Sequence, residues 1–130
     1  MEALQKMVLQ FFQAMGHPWR MHPTPDIPIE EANLRLRLID EEIDELVLAV
    51  YERNLVEIAD SLADILYVVL GCGLAFGIDL WPIFAEIHRS NMTKVGAGND
   101  DRGKARKGDY YEPPRLQEIL DKLAAEEIPS

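Results

Sequence analysis

Two acidic clusters hold the side chains best suited to chemistry: Glu41, Glu42 and Glu45, then Glu57, Asp60 and Asp64. All six are hard oxygen donors, and no Cys or His stands between them. Such a set selects Mg²⁺ or Mn²⁺ over softer metals. Projected at 100° per residue, Glu41, Glu42 and Glu45 share one side of a helix with Leu34, Leu38 and Ala49. Leu36, Ile39, Ile43, Leu46, Val47 and Val50 form an apolar stripe elsewhere on it, with Arg37, Asp40, Asp44 and Tyr51 beside the stripe as a solvent wedge. An acidic triplet is ordinarily a solvated face. Leucines on the same side argue that this face also packs, and packed carboxylates repel and lose hydration unless a cation compensates. Glu57, Asp60 and Asp64 fall within about 60° of one another on the next helix. Tyr67, Gly71 and Ala75 carry that face into an apolar half.

The elements that must position these residues follow from periodicity and breakers. Leu4, Met7, Val8, Phe11, Phe12 and Met15 predict a first helix over 2–15. Gly16 and the prolines at 18, 23, 25 and 28 enforce an irregular connector. A long helix is expected from Ile29 to Tyr51, and Asn54 is the N-cap of a second, reaching to about Phe76. Gly77 and Asp79 make the next break, with Pro82 in the first turn of a helix to about Met92. Residues 95–109 read as a mobile loop, and Pro113 and Pro114 start a short helix with Leu116, Ile119, Leu120 and Leu123 on its apolar side. A short turn between the two long helices brings both acidic clusters together. No strand pattern and no repeat appears.

Competing sites find no support. Di-iron bundles need Glu-x-x-His pairs, and none of His17, His22 and His88 follows a Glu at that spacing. No Walker loop, dinucleotide fingerprint or Gly-x-Ser-x-Gly elbow is present. The 130 residues fit one domain, 1–130, and 48% apolar content suits a globular core. A net charge of −10 disfavours duplex nucleic acid, although metal ions can bridge an acidic protein to a polyphosphate. Five cations between 94 and 107 (Lys94, Arg102, Lys104, Arg106 and Lys107) face only Asp100 and Asp101, a local net of +3. That segment is a candidate phosphate grip, or else a solubilising loop. Asn91 has the chemistry for a base or sugar contact, and is otherwise an ordinary residue near a helix end. Trp19 reads as a connector aromatic packed on the core, or else as a stacking partner for a base; His88 reads as structural, and Cys72, in an apolar run, as a buried structural thiol. No signal-like leader opens the chain, and the apolar run Ile65–Ile78 is shorter than the ~20 residues of a membrane span. A cytoplasmic protein is expected.

Leu38-Ile39-Asp40-Glu41-Glu42-Ile43-Asp44-Glu45-Leu46 and Ala59-Asp60-Ser61-Leu62-Ala63-Asp64-Ile65-Leu66-Tyr67 resemble the all-alpha nucleoside triphosphate pyrophosphohydrolases, the MazG-like and phosphoribosyl-ATP pyrophosphohydrolase-like superfamily. The resemblance continues through Gly77-Ile78-Asp79-Leu80, Glu86–Lys94 and Gly103–Gly108, so it spans most of the chain from residue 30 onward. It implies a Glu-x-x-Glu paired with a Glu-x-x-Asp, four ligands for Mg²⁺. Glu42 and Glu45 take the first pair, and Glu41 is adjacent as ligand or base, nominated as the catalytic base. Asp64 is the final Asp, but Ser61 stands where the family has Glu. Asp60 is the substitute ligand, with Glu57 as the alternative one turn away. The resemblance further implies cleavage between the α and β phosphates of a nucleoside triphosphate. Asn91, Lys94, Lys104 and Lys107 are then the substrate-binding candidates.

The expected architecture is an all-α bundle of four to five helices, completed by dimerisation or a higher homo-oligomer, because both long helices are apolar on more than one side. The expected function is nucleotide pyrophosphohydrolysis as a housecleaning step on the nucleotide pool. Two rivals stand beside it: a non-catalytic helical dimer on the same scaffold, and hydrolysis of phosphoribosyl-ATP.

Overall fold

Five helices build the computed structural model, which describes residues 1–126: α1 (Ala3–Met15), α2 (Ile29–Tyr51), α3 (Leu55–Ala75), α4 (Leu80–Met92) and α5 (Leu116–Ala125). The last residues of the expected domain, 127–130, lie outside the described part. Among the described residues no strand forms, and only an isolated antiparallel bridge joins Asn99 to Ala105.

Local chemistry explains the boundaries. Asn54 caps α3, its Oδ1 accepting from the Glu57 N–H at 3.2 Å. Arg53 just before it takes φ 55°, which reverses the chain within a few residues of the end of α2. At the other end of α3, Gly77 has φ 71°, and a Cβ there would stand 1.9 Å from the His22 carbonyl oxygen. Only glycine fits that turn. Asp79 then caps α4 by accepting from the Trp81 N–H at 3.2 Å. One boundary departs from expectation: Pro113 and Pro114 precede α5 and do not begin it. Arg115 is the N-cap, with φ −98° and ψ 69°; its N–H donates to Glu86 Oε2 at 2.7 Å, and the helix starts at Leu116.

α2 and α3 form an antiparallel hairpin, and α1 packs along the C-terminal half of α3. Val8, Phe12 and Leu74 are its most buried core, with Leu9, Trp19 and Leu70 against them. Gly71 allows this approach, since a Cβ there would lie 3.0 Å from Phe12 Cζ. Gln5, buried, ties α1 to the next turn: its Nε2 donates to the Ile78 carbonyl at 3.0 Å and its Oε1 accepts from the Leu80 N–H at 3.0 Å. Cys72 is half-buried, and burial pushes its thiol up.

The apolar stripe read on α2 is only partly packed: Ile39 and Leu46 are half-buried, whereas Leu36, Ile43, Val47 and Val50 are exposed, Leu36 by 61%. Arg35 and Ala49 are buried instead, and Leu38 and Glu42 are half-buried. The hairpin therefore closes on the side that carries the carboxylates. Periodicity gave two apolar faces to α2, and α3 occupies the shorter one. α3 spans 21 residues and is long and apolar enough, by length and composition alone, to cross a membrane, whereas the apolar run Ile65–Ile78 that overlaps it is shorter. It carries Glu57, Asp60 and Asp64 and lies against α1 and α2.

Candidate metal centre

Glu42 and Glu45 lie one turn apart on α2, and Asp64 faces them from α3. Each offers a carboxylate oxygen, and the three oxygens lie within 4.8 Å of one another. Glu42 and Asp64 are half-buried and Glu45 is exposed, so the trio opens to solvent on one side. Glu42 Oε2 is buried with no hydrogen-bond donor in reach. Burial holds the Glu42 carboxyl above its ordinary range, and Glu45, Asp64 and Asp60 add to the rise. Asp64 is raised in the same way, first by burial and then by the charges of Asp60 and Glu45. Three converging carboxylate oxygens, beside a buried Glu42 oxygen without a donor, suit a hard divalent cation, which would neutralise the repulsion.

The remaining acidic residues differ in their relation to this trio. Asp60 stands beside Asp64 and raises it by charge and by a hydrogen bond to the protonated form. Glu57, a turn further toward the N-terminus of α3, contributes to neither shifted carboxyl. Ser61, which stands where the resemblance implies a Glu, is buried and points into the helix packing. Glu41 is exposed and lies outside the trio.

The basic candidates form a separate group. Lys94 Nζ donates to Asn91 Oδ1 at 3.0 Å. Lys94 and Lys107 both sit over the Tyr111 ring, 5.8 and 5.1 Å from its centroid. Lys104 is exposed, and its backbone N–H donates to Asp100 Oδ1 at 2.9 Å. α4 packs on α5, and among the described residues no ion pair joins any of these lysines to the acidic trio.

Sequence reasoning missed Arg20, Arg35 and Tyr111. Arg35 is 5% exposed, with its guanidinium 4.5 Å from the centre of the Phe12 ring and Nε unpartnered. Its signal was a position two turns before Glu42 on the inward side of α2. Arg20 leaves no such signal, because an irregular connector has no periodicity.

The family described as phosphoribosyl-ATP pyrophosphohydrolase matches residues 8–91. An uncharacterized protein of Acanthamoeba polyphaga mimivirus is 49% identical over 74 residues, which is 55% of this chain and 30% of that protein. The similarity thus covers under a third of the relative's length. With a match that runs unbroken from α1 through both acidic helices to the end of α4, the chain belongs to the phosphoribosyl-ATP pyrophosphohydrolase family.

Proposed function

We propose that this protein is a Mg²⁺-dependent nucleotide pyrophosphohydrolase, with Mn²⁺ as a substitute, that converts a nucleoside or deoxynucleoside triphosphate to its monophosphate and pyrophosphate. The observation that carries the reading is the convergence of carboxylate oxygens from Glu42, Glu45 and Asp64 to within 4.8 Å of one another. Glu42, Glu45, Asp60 and Asp64 would hold the ion. When bound, such an ion neutralises phosphate oxygens and lowers the pKa of an attacking water. Glu41, exposed beside the ligands, takes the proton of that water. Asn91, Lys94, Lys104 and Lys107 hold the nucleotide, the lysines by charge on the phosphates.

The working unit is a homodimer in the cytoplasm. Leu36, Ile43, Val47 and Val50 of α2, with Leu62 and Leu66 of α3, leave an uncovered apolar surface broader than scattered surface residues account for. A second copy covers it by a symmetric contact. The second copy is also a candidate source of a basic segment to close over each site. Removal of non-standard or surplus nucleotides is the corresponding role.

The matched family's description favours a second substrate, phosphoribosyl-ATP, for the same bond cleavage. A panel of dNTPs, NTPs and phosphoribosyl-ATP with Mg²⁺ separates the two, with products resolved as monophosphate plus pyrophosphate. Turnover of phosphoribosyl-ATP alone would replace the housecleaning role. No turnover of any member, together with no divalent binding by calorimetry, would leave the non-catalytic helical dimer.

A further inference from the structure

We infer that Tyr111 is a positioning residue, whose ring gathers Lys94 and Lys107 into one dicationic site for a phosphate or pyrophosphate group. The inference rests on the proposed reading of the basic segment as a phosphate grip, and it adds a residue and a mechanism to it. The two lysines come from opposite limbs of the loop between α4 and α5, yet both ammonium groups lie within 5.8 Å of one ring centre. Two ammonium groups repel, and fixing long side chains removes rotamer entropy. The electron-rich ring offsets both by attracting each cation.

The backbone around Tyr111 is fastened where that task requires it. Ser90, buried, donates its hydroxyl to the Glu112 carbonyl at 2.8 Å, and the Glu112 N–H donates to Thr93 Oγ1 at 2.9 Å. These bonds lock Tyr111 to the last turn of α4, the turn that presents Asn91 and Lys94. Tyr111 is half-buried in consequence, whereas its neighbour Tyr110 is 89% exposed. Among the described residues neither lysine forms an ion pair, so both charges remain available to an anion. Point-charge donors on flexible stems suit a compact polyanion better than a planar carboxylate.

The test uses the full chain and pyrophosphate, titrated calorimetrically in a chelator so that the carboxylate site takes no part. Tyr111→Leu is expected to weaken pyrophosphate binding roughly tenfold, while Tyr111→Phe, which keeps the ring face, stays within about twofold. With nucleotide and Mg²⁺ the leucine variant shows the loss in KM and not in kcat. Lys94→Met with Lys107→Met is the reference for complete loss. If that double variant loses pyrophosphate and Tyr111→Leu does not, the role of Tyr111 is overturned and the phosphate grip stands. If the double variant binds as the parent does, the grip itself is overturned, and Tyr111 with it. Helical melting is followed for each protein, and Tyr111→Gln replaces the leucine variant should that one fail to fold.

Discussion

Arg20 closes a two-point ion pair on Glu31, with Nη1 at 2.7 Å from Oε1 and Nη2 at 3.0 Å from Oε2. The same Nη1 donates to the Ala75 carbonyl at 2.7 Å, near the end of α3. One side chain of the connector therefore ties the first turn of α2 to the last turn of α3, and fixes the hairpin at the end remote from its turn. Charge-assisted, two-toothed pairs of this kind are the strong members of their class.

Arg20→Met should accordingly destabilise the fold by about 2 kcal/mol, after allowance for partial exposure. The hydrogen bond from Arg20 holds the Glu31 carboxyl below its ordinary value of 4.5, against the opposing effect of burial. A depressed folded pKa means that the contribution is present above pH 4.5 and is lost as pH falls through the folded value. Chemical denaturation of parent and variant from pH 7 to pH 3 checks this. Equal stabilities at pH 7 would show that the pair does no structural service.

The metal centre carries the opposite sign. Burial, then neighbouring carboxylates, hold Glu42 and Asp64 above their ordinary values of 4.5 and 3.8. The folded protein then keeps protons that the unfolded chain has released, so metal-free stability falls as pH rises through the raised values. At pH 7 without divalent ions, Glu42→Gln should melt higher than the parent. Saturating Mg²⁺ should reverse the order, by about 2.7 kcal/mol for the parent at a hundred times its Kd. A variant that melts lower in chelator would contradict the repulsion read from the geometry.

Turnover distinguishes the ligands. Glu42→Gln and Asp64→Asn should each lower kcat by at least about a hundredfold with the helical spectrum unchanged. Asp60→Asn should fall with them and Glu57→Gln should not, because Asp60 acts on Asp64 and Glu57 does not. The reverse pattern would move the ligand set one turn toward the N-terminus of α3.

Assembly is read from sedimentation. The parent is expected to be a dimer at micromolar concentration, and Val47→Lys, in the exposed stripe of α2, should shift it toward monomer. Since Val47 is 49% exposed in the single chain, the substitution leaves the hairpin packing intact. A parent that sediments as a monomer would end the dimer reading.

The helices and the meeting of two acidic clusters were legible in the sequence. Strong breakers surround each element, and Asn54, Gly77 and Asp79 act through bonds that span a few residues, so helix positions were legible locally. So was the pairing of two acidic clusters, since a short turn leaves adjacent antiparallel helices little other arrangement. Which face of α2 meets α3 was decided only by tertiary structure. Leu36, Ile43, Val47 and Val50 are as apolar as a core stripe, and periodicity assigns a face no partner. The fit of α3 against Arg35, Leu38, Glu42 and Ala49 made that choice, and with it left Glu42 Oε2 buried and undonated. Arg20 on Glu31 and two lysines on Tyr111 were equally invisible, because each joins residues across irregular chain, where spacing carries no geometric meaning.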